Sequence, residues 1–230
     1  MFQTYDSHSD PAAHPPRLAA LRRELAARGL DGFLVPRADA HQGEYVAARD
    51  ARLAWLTGFT GSAGFCIVTP DRAGVFIDGR YRVQVKAQVD PTHFTPVPWP
   101  ETKPADWLRE ALPEGGRIGY DPWLHTRREI REMEKGLVGS GIALIALDTN
   151  PVDAIWTDQP EAPVGAVRLW PDEIAGETAA EKRARIARAL RDAGQQAAVL
   201  TLPDSVSWLL NIRGADVPKN PVVQGFAIIE

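Results

Sequence analysis

Apolar positions along the chain fall into two alternating grammars. In "RLAALRRELAARG", Leu18, Leu21, Leu25 and Ala26 recur at helical spacing and stop at Gly29, which predicts an amphipathic helix. "GFLVPR" (32–37) is a short, wholly apolar run of strand length. "GEYVAARDARLAWLTG" mixes helix-period apolar residues with charges and leads into a glycine cluster. "GFCIVTP" and "AGVFIDG" flank Pro70, Asp71 and Arg72, a turn composition, and so read as a β-hairpin. "RYRVQVKAQV" alternates like a strand, but Tyr81, Val85 and Val89 share a helical face, and the helical reading is preferred. Beyond it the order is regular: "FTPVPW" as an edge strand carrying prolines, "PADWLREAL" as a helix, "RIGYDP" as a strand, "TRREIREMEKGLVGSG" as a helix and "IALIALD" as a strand.

Strands alternating with helices imply an α/β fold, and the hairpin makes its sheet mixed rather than purely parallel. The expected organisation is a frayed tail at 1–16, a first domain at 17–149 and a proline-punctuated linker at 150–177, followed by a second α/β unit at 178–230. That second unit opens with "TAAEKRARIARALRDAG", a helix capped by Thr178 with Ile186, Ala189, Leu190 and Ala193 inward. "AAVLTL" (strand), "DSVSWLLNI" (helix) and the terminal strand "VVQGFAIIE" follow, and a chain that closes on an unpaired apolar strand reads as cut short.

Composition narrows the function. With 44% hydrophobic and 24% charged residues the chain is ordinary globular material. A net charge of -4 and a pI near 5.8 offer no bulk attraction to nucleic acid or anionic lipid. No apolar run approaches the roughly 20 residues that span a bilayer, and the first residues lack a secretory layout. The single Cys66, inside an apolar strand pattern, reads as a buried hydrophobe of a reducing cytoplasm.

The candidate chemistry is sparse. Gly58, Gly61 and Gly64 make G-x-x-G-x-x-G, which is neither the dinucleotide fingerprint nor a phosphate loop, and a strand rather than a helix follows it. Ser62 therefore reads as a turn or hydrogen-bonding residue and not as a nucleophile. His41 and Glu44 share a helical spacing, but two ligands do not close a metal site. Asp78 and Asp121, at strand ends, read as turn formers. The basic run "KRARIARALR" reads as a solvated helix face, and Trp107 and Trp208 as core.

Longer strings are more specific. "VPRADAHQGEYVAARDARLAWLTGFTGSAGFCIVTPDRAGVFIDGRY", "GYDP", "NPVDAIWTDQP" and "SVSWLLNIRGADVPKNPVVQGFAII" together resemble the N-terminal region of three-domain Xaa-Pro aminopeptidases, of the creatinase/prolidase superfamily. The resemblance runs from about Leu30 to Glu230. It implies a creatinase/prolidase N-terminal-like α/β domain, a mixed β-sheet with helices on both faces, followed by part of a second similar domain. It implies a cytoplasmic hydrolase that removes the first residue of peptides with proline in second position. Two divalent metals, manganese as a rule, are expected in a C-terminal domain on two Asp, one His and two Glu, so that this chain holds no metal, no catalytic residue and no activity of its own. It also implies a homodimer for the whole enzyme and a monomer for this stretch. Arg80, in "DGRY", matches an arginine that in similar enzymes points toward the substrate cleft, where it would bind substrate; a salt bridge to Asp78 is the rival reading. His41 and Tyr81 match the pattern without an assigned role. Two other functions stay open: a stand-alone α/β binding module, and the N-terminal region of a creatinase- or prolidase-type hydrolase.

Overall fold

The computed structural model describes residues 9–230; the part of the expected tail at 1–8 lies outside them. The chain divides into two compact units, one formed by residues up to Ala38 with Asp50–Gln159, the other by Asp39–Arg49 with Pro160–Glu230.

The first unit runs α1 (His14–Ala27), β1 (Gly32–Pro36), α2 (Arg52–Thr57), β2 (Phe65–Val68), β3 (Ala73–Ile77), α3 (Gln84–Gln88), β4 (Thr95–Pro98), α4 (Pro104–Ala111), β5 (Gly116–Tyr120), α5 (Arg127–Leu137), β6 (Ile142–Ala146) and α6 (Pro151–Ile155). Its six strands form one sheet in the order β4-β3-β2-β1-β5-β6. β1–β5, β5–β6 and β3–β4 pair in parallel, whereas β2 is antiparallel to both β1 and β3. The hairpin is thus as expected, and the proline-bearing β4 sits at an edge, where a missing N–H breaks no ladder.

Strand alternation sorts the core into two layers. Phe33, Val35, Cys66, Val68, Val75 and Ile77 face a cluster with Leu18, Leu21 and Leu25 of α1, Leu53 and Leu56 of α2, and Val152 of α6. Leu34, Ile67 and Phe76 face the other side, against Trp107 and Leu108 of α4 and Ile130 of α5. Both faces of the sheet are therefore covered by helices, and each fully buried Leu or Phe contributes about 1.5–3 kcal/mol to holding them there. The helical reading of "RYRVQVKAQV" also holds, since α3 follows a 3-10 turn at Gly79–Tyr81 and buries Val85.

Several expectations change. Residues 11–16 are helical rather than frayed: Pro11–Ala13 make a 3-10 turn capped by Asp10, and His14 opens α1 with its ring buried. Its Nδ1 lies 3.0 Å from the Trp55 carbonyl, an anchor no local pattern announces. Ala26 is exposed, because three leucines already fill the helix stripe. Part of the stretch read as linker is α6, whose Val152 is 0% exposed and whose Trp156 stacks on Trp55 at 5.0 Å.

The second unit contains β7 (Arg168–Leu169), α7 (Asp172–Ala175), α8 (Ala179–Asp192), β8 (Ala198–Leu200), α9 (Pro203–Leu210), β9 (Ile212–Arg213) and β10 (Ala227–Ile229). β8 pairs with β10, and β7 with β9, both antiparallel. Thr178 caps α8 in a capping box with Glu181, as its sequence suggests. The inward set does not hold: Ile186 and Leu190 are half-buried and Ala189 and Ala193 exposed, since two-stranded ribbons offer too little surface to cover the helix. Trp208, expected in the core, is 44% exposed, and Lys182, expected in solvent, is 2% exposed. The Lys182 ammonium donates to the Trp208 carbonyl (3.0 Å) and to Asn211 Oδ1 (2.6 Å), and lies 4.6 Å from the Trp208 ring centroid. A buried cation with those partners is satisfied, and the indole has become its cover.

Candidate functional site

β1 and β3 both run opposite to β2, so β1, β3, β4, β5 and β6 share one direction and deliver their carboxyl ends to one edge of the sheet. From β1 the order departs one way through β2, β3 and β4 and the other way through β5 and β6. Open α/β sheets bind ligands at this edge, beside such a switch point. The glycine loop preceding β2 ends here as well, with the Gly64 carbonyl accepting from the Arg37 N–H at 3.2 Å.

The loop is built around close approaches. Gly58 ends α2 in the left-handed region (φ 81°), and a Cβ there would meet the Gln88 carbonyl oxygen at 2.5 Å. A Cβ at Gly61 would collide with the Phe59 ring, 2.8 Å from Cε2, and stand 2.9 Å from Tyr81 Cδ1. The space admits two aromatic rings edge to face, Phe59 and Tyr81, with centroids 5.5 Å apart. Ser62, expected to hydrogen-bond rather than to attack, pairs its hydroxyl with that of Tyr81 at 2.6 Å.

Arg80 stands next to this seat. Asp78, at the carboxyl end of β3, caps the Gly79–Tyr81 turn by accepting from the Arg80 N–H (2.9 Å) and also takes the guanidinium through Nε (3.2 Å) and Nη2 (2.7 Å). That pairing holds the Asp78 carboxyl below its usual range. The guanidinium carbon lies 5.1 Å from the Tyr81 ring centroid, and the side chain is 64% exposed. The salt bridge considered as the rival reading is therefore present, and it fixes the plane of an exposed cation. Asp121, after β5, accepts from the Trp123 N–H (2.9 Å) and from Asn150 Nδ2 (3.0 Å), so both strand-end aspartates form turns.

His41 and Glu44 lie in an irregular stretch without a helix, so their spacing does not bring them onto one face. Instead His41 stacks on Phe226 at 4.5 Å and its Nδ1 lies 2.9 Å from the Thr201 carbonyl. Cys66 is fully buried, and burial pushes its thiol far up, so it stays protonated and unreactive. Among the described residues no three His, Cys, Asp or Glu side chains group as metal ligands, so the residues present do not fit a metal pair. Sequence reasoning missed the joint seat of Phe59, Gly61, Ser62 and Tyr81, because the partners stand 19 residues apart and no local pattern links them.

Residues 17–162 match the family model of the creatinase/prolidase N-terminal domain, and residues 158–230 match a second model of the same description. The chain belongs to the creatinase/prolidase N-terminal domain family. It is 34% identical over 220 residues to "Aminopeptidase P2" of Arabidopsis thaliana, covering 93% of this chain and 31% of that protein. It is 37% identical to a "Probable Xaa-Pro aminopeptidase P" of Coccidioides posadasii, covering 93% of this chain and 33% of the relative. The solved X-prolyl aminopeptidase of Caenorhabditis elegans, described as a cytosolic enzyme with a di-nuclear active site, superposes with a TM-score of 0.85 at 35% identity, covering 93% of this chain and 37% of that one. The chain thus spans about a third of the length of these relatives and corresponds to the N-terminal portion of such enzymes.

Proposed function

We propose that this chain supplies the non-catalytic N-terminal region of a cytosolic, metal-dependent Xaa-Pro aminopeptidase, which releases the first residue of peptides with proline second. In this reading the two units are creatinase-like domains, and they shape the cleft in front of the catalytic centre. The carrying observation is the agreement, at a TM-score of 0.85 across 93% of the chain, with an enzyme described as cytosolic and di-nuclear. When bound, a pair of divalent ions, manganese in this reading, polarises the scissile carbonyl and activates water; its ligands belong outside these residues.

Within the chain the substrate-binding role falls to Arg80. A guanidinium whose plane is already fixed by Asp78 and Tyr81 presents planar donors to a peptide carboxylate or carbonyl beyond the scissile bond. Subunit pairing is assigned to the catalytic domain, so this stretch alone is a monomer.

Two measurements test the reading. The purified chain with excess manganese releases no amino acid from a Xaa-Pro peptide; turnover proportional to its concentration that survives repurification overturns the proposal. In the complete enzyme Arg80→Ala raises KM for longer peptides about tenfold, the loss of one charge-assisted contact, with kcat little changed. Identical kinetics on longer peptides remove Arg80 from the site.

A further inference from the structure

From the glycine loop, the turn after β3 and the exposed guanidinium, we infer that Tyr81 is a positioning residue for Arg80, held in place by Ser62 and by the space that Gly61 leaves. The inference rests on the reading of Arg80 as the substrate-binding cation and adds the residues that prepare it. Three contacts meet at Tyr81. Its hydroxyl shares a 2.6 Å hydrogen bond with Ser62, its ring stands at 81° to Phe59, and one face lies 5.1 Å from the Arg80 guanidinium carbon. Asp78 accepts from Nε and Nη2 of the same guanidinium and from the Arg80 backbone N–H.

An exposed arginine ordinarily samples many rotamers and loses that freedom when it binds a ligand. A side chain fixed beforehand by an aspartate fork and an aromatic face loses less, so the same contact yields more affinity. On its aromatic face the fixing is only as firm as the ring. Tyr81 ends a three-residue turn and packs half-buried against the core, and the Ser62 bond and the Phe59 edge add to what keeps its ring from swinging. Gly61 is the condition for both rings, since any side chain there displaces Phe59 and Tyr81 together. The glycine run thus serves neither a phosphate nor a nucleophile; it builds a seat for a cation.

The test combines a motional and a kinetic readout. In the purified chain, ¹⁵N relaxation of the Arg80 Nε–H reports its order. Tyr81→Phe, which keeps the ring and loses the hydroxyl, and Ser62→Ala should each lower that order while the thermal midpoint of the chain holds; Ser62→Thr, which retains a hydroxyl, restores it. Gly61→Ala should lower it as well. In the complete enzyme Tyr81→Phe and Ser62→Ala should raise KM on longer peptides about three- to tenfold, and the Arg80→Ala/Tyr81→Phe double variant should be no worse than Arg80→Ala. Unchanged Arg80 order in both Tyr81→Phe and Ser62→Ala overturns the positioning role. Lowered order with additive kinetics overturns its link to substrate. If Arg80→Ala itself leaves the kinetics alone, the substrate-binding reading has failed, while the relaxation data still decide separately whether Tyr81 orders Arg80.

Discussion

At the scale of single residues, the glycines differ in what a side chain would meet at each of them. Gly58 combines a left-handed φ of 81° with a backbone carbonyl 2.5 Å from any Cβ, so neither rotation nor a flexible neighbour can relieve a substitution. Gly79, in the "DGRY" turn, has nothing within 4 Å of a Cβ. Gly58→Ala should therefore destabilise the chain by about 1–3 kcal/mol, and Gly79→Ala by less than about 0.5 kcal/mol. Urea unfolding midpoints at matched slopes distinguish the two, and equal shifts would show that close approach is not what the glycine run provides. A buried ion pair follows the same logic: Arg52, 6% exposed, is met by Asp153 at 2.6 and 2.9 Å and by Asp50 at 2.9 Å. It satisfies a guanidinium that the fold has removed from water.

At the scale of elements, α8 shows how tertiary context inverts a helical wheel. Its aliphatic stripe is only half covered, and its most buried side chain is a lysine. Lys182 joins α8 to the last turn of α9, where the Trp208 carbonyl and the left-handed Asn211 present acceptors and the helix dipole favours a cation. Asn211 in turn donates to Asp172 and to the Glu177 carbonyl, so one ammonium anchors a chain of contacts reaching α7. Lys182→Met, which keeps the apolar stem and removes the charge, should cost about 2 kcal/mol. It should also speed hydrogen exchange at the end of α9. Unchanged exchange there would mean that the helix end is held by Asn211 alone.

For the whole molecule the pH response follows from two desolvated rings, the buried His14 and the half-buried His125. Burial pushes the His14 and His125 pKa values below 6.5; the Trp55 carbonyl offsets this at His14, where Arg17 adds to the depression and Asp10 opposes it. At His125, Glu129, Asp121 and the Leu34 carbonyl oppose the shift. Nε2 of each has no partner among the described residues. Between the lowered folded value and about 6.5 in the unfolded chain, the unfolded state binds more protons, so stability is full above that range and falls as pH drops through it. Asp78, Asp90, Glu177 and Glu181 are all held below their usual ranges and remain ionised there, so they do not mask the effect. Unfolding free energy measured from pH 8 to pH 5 should decline, and His14→Gln with His125→Asn should flatten the slope. A flat profile in the unsubstituted chain would show that neither ring is desolvated.

The sequence by itself determined the order of elements from α1 to β6, the mixed sheet, the edge position of β4 and the family, because these depend on local period, turn chemistry and strings such as "GFTGSAG" and "DGRY" read in order. It also identified Ser62 as a hydrogen-bonding residue and Cys66 as buried. Only the tertiary structure decided which side chains meet. Residues 9–16 gained order from the Trp55 carbonyl and from Gln88, whose carbonyl accepts from Ser9 at 2.8 Å. Asp39–Arg49 joined the second unit although it lies between α2 and β1 of the first. Lys182 and Trp208 exchanged the environments their helical positions suggested, and Tyr81 came under Arg80 through a serine 19 residues away. Periodicity reports which face of an element turns inward. It carries no information on what that face encounters, since the encounter is set by distant segments whose packing exists only once the chain has folded.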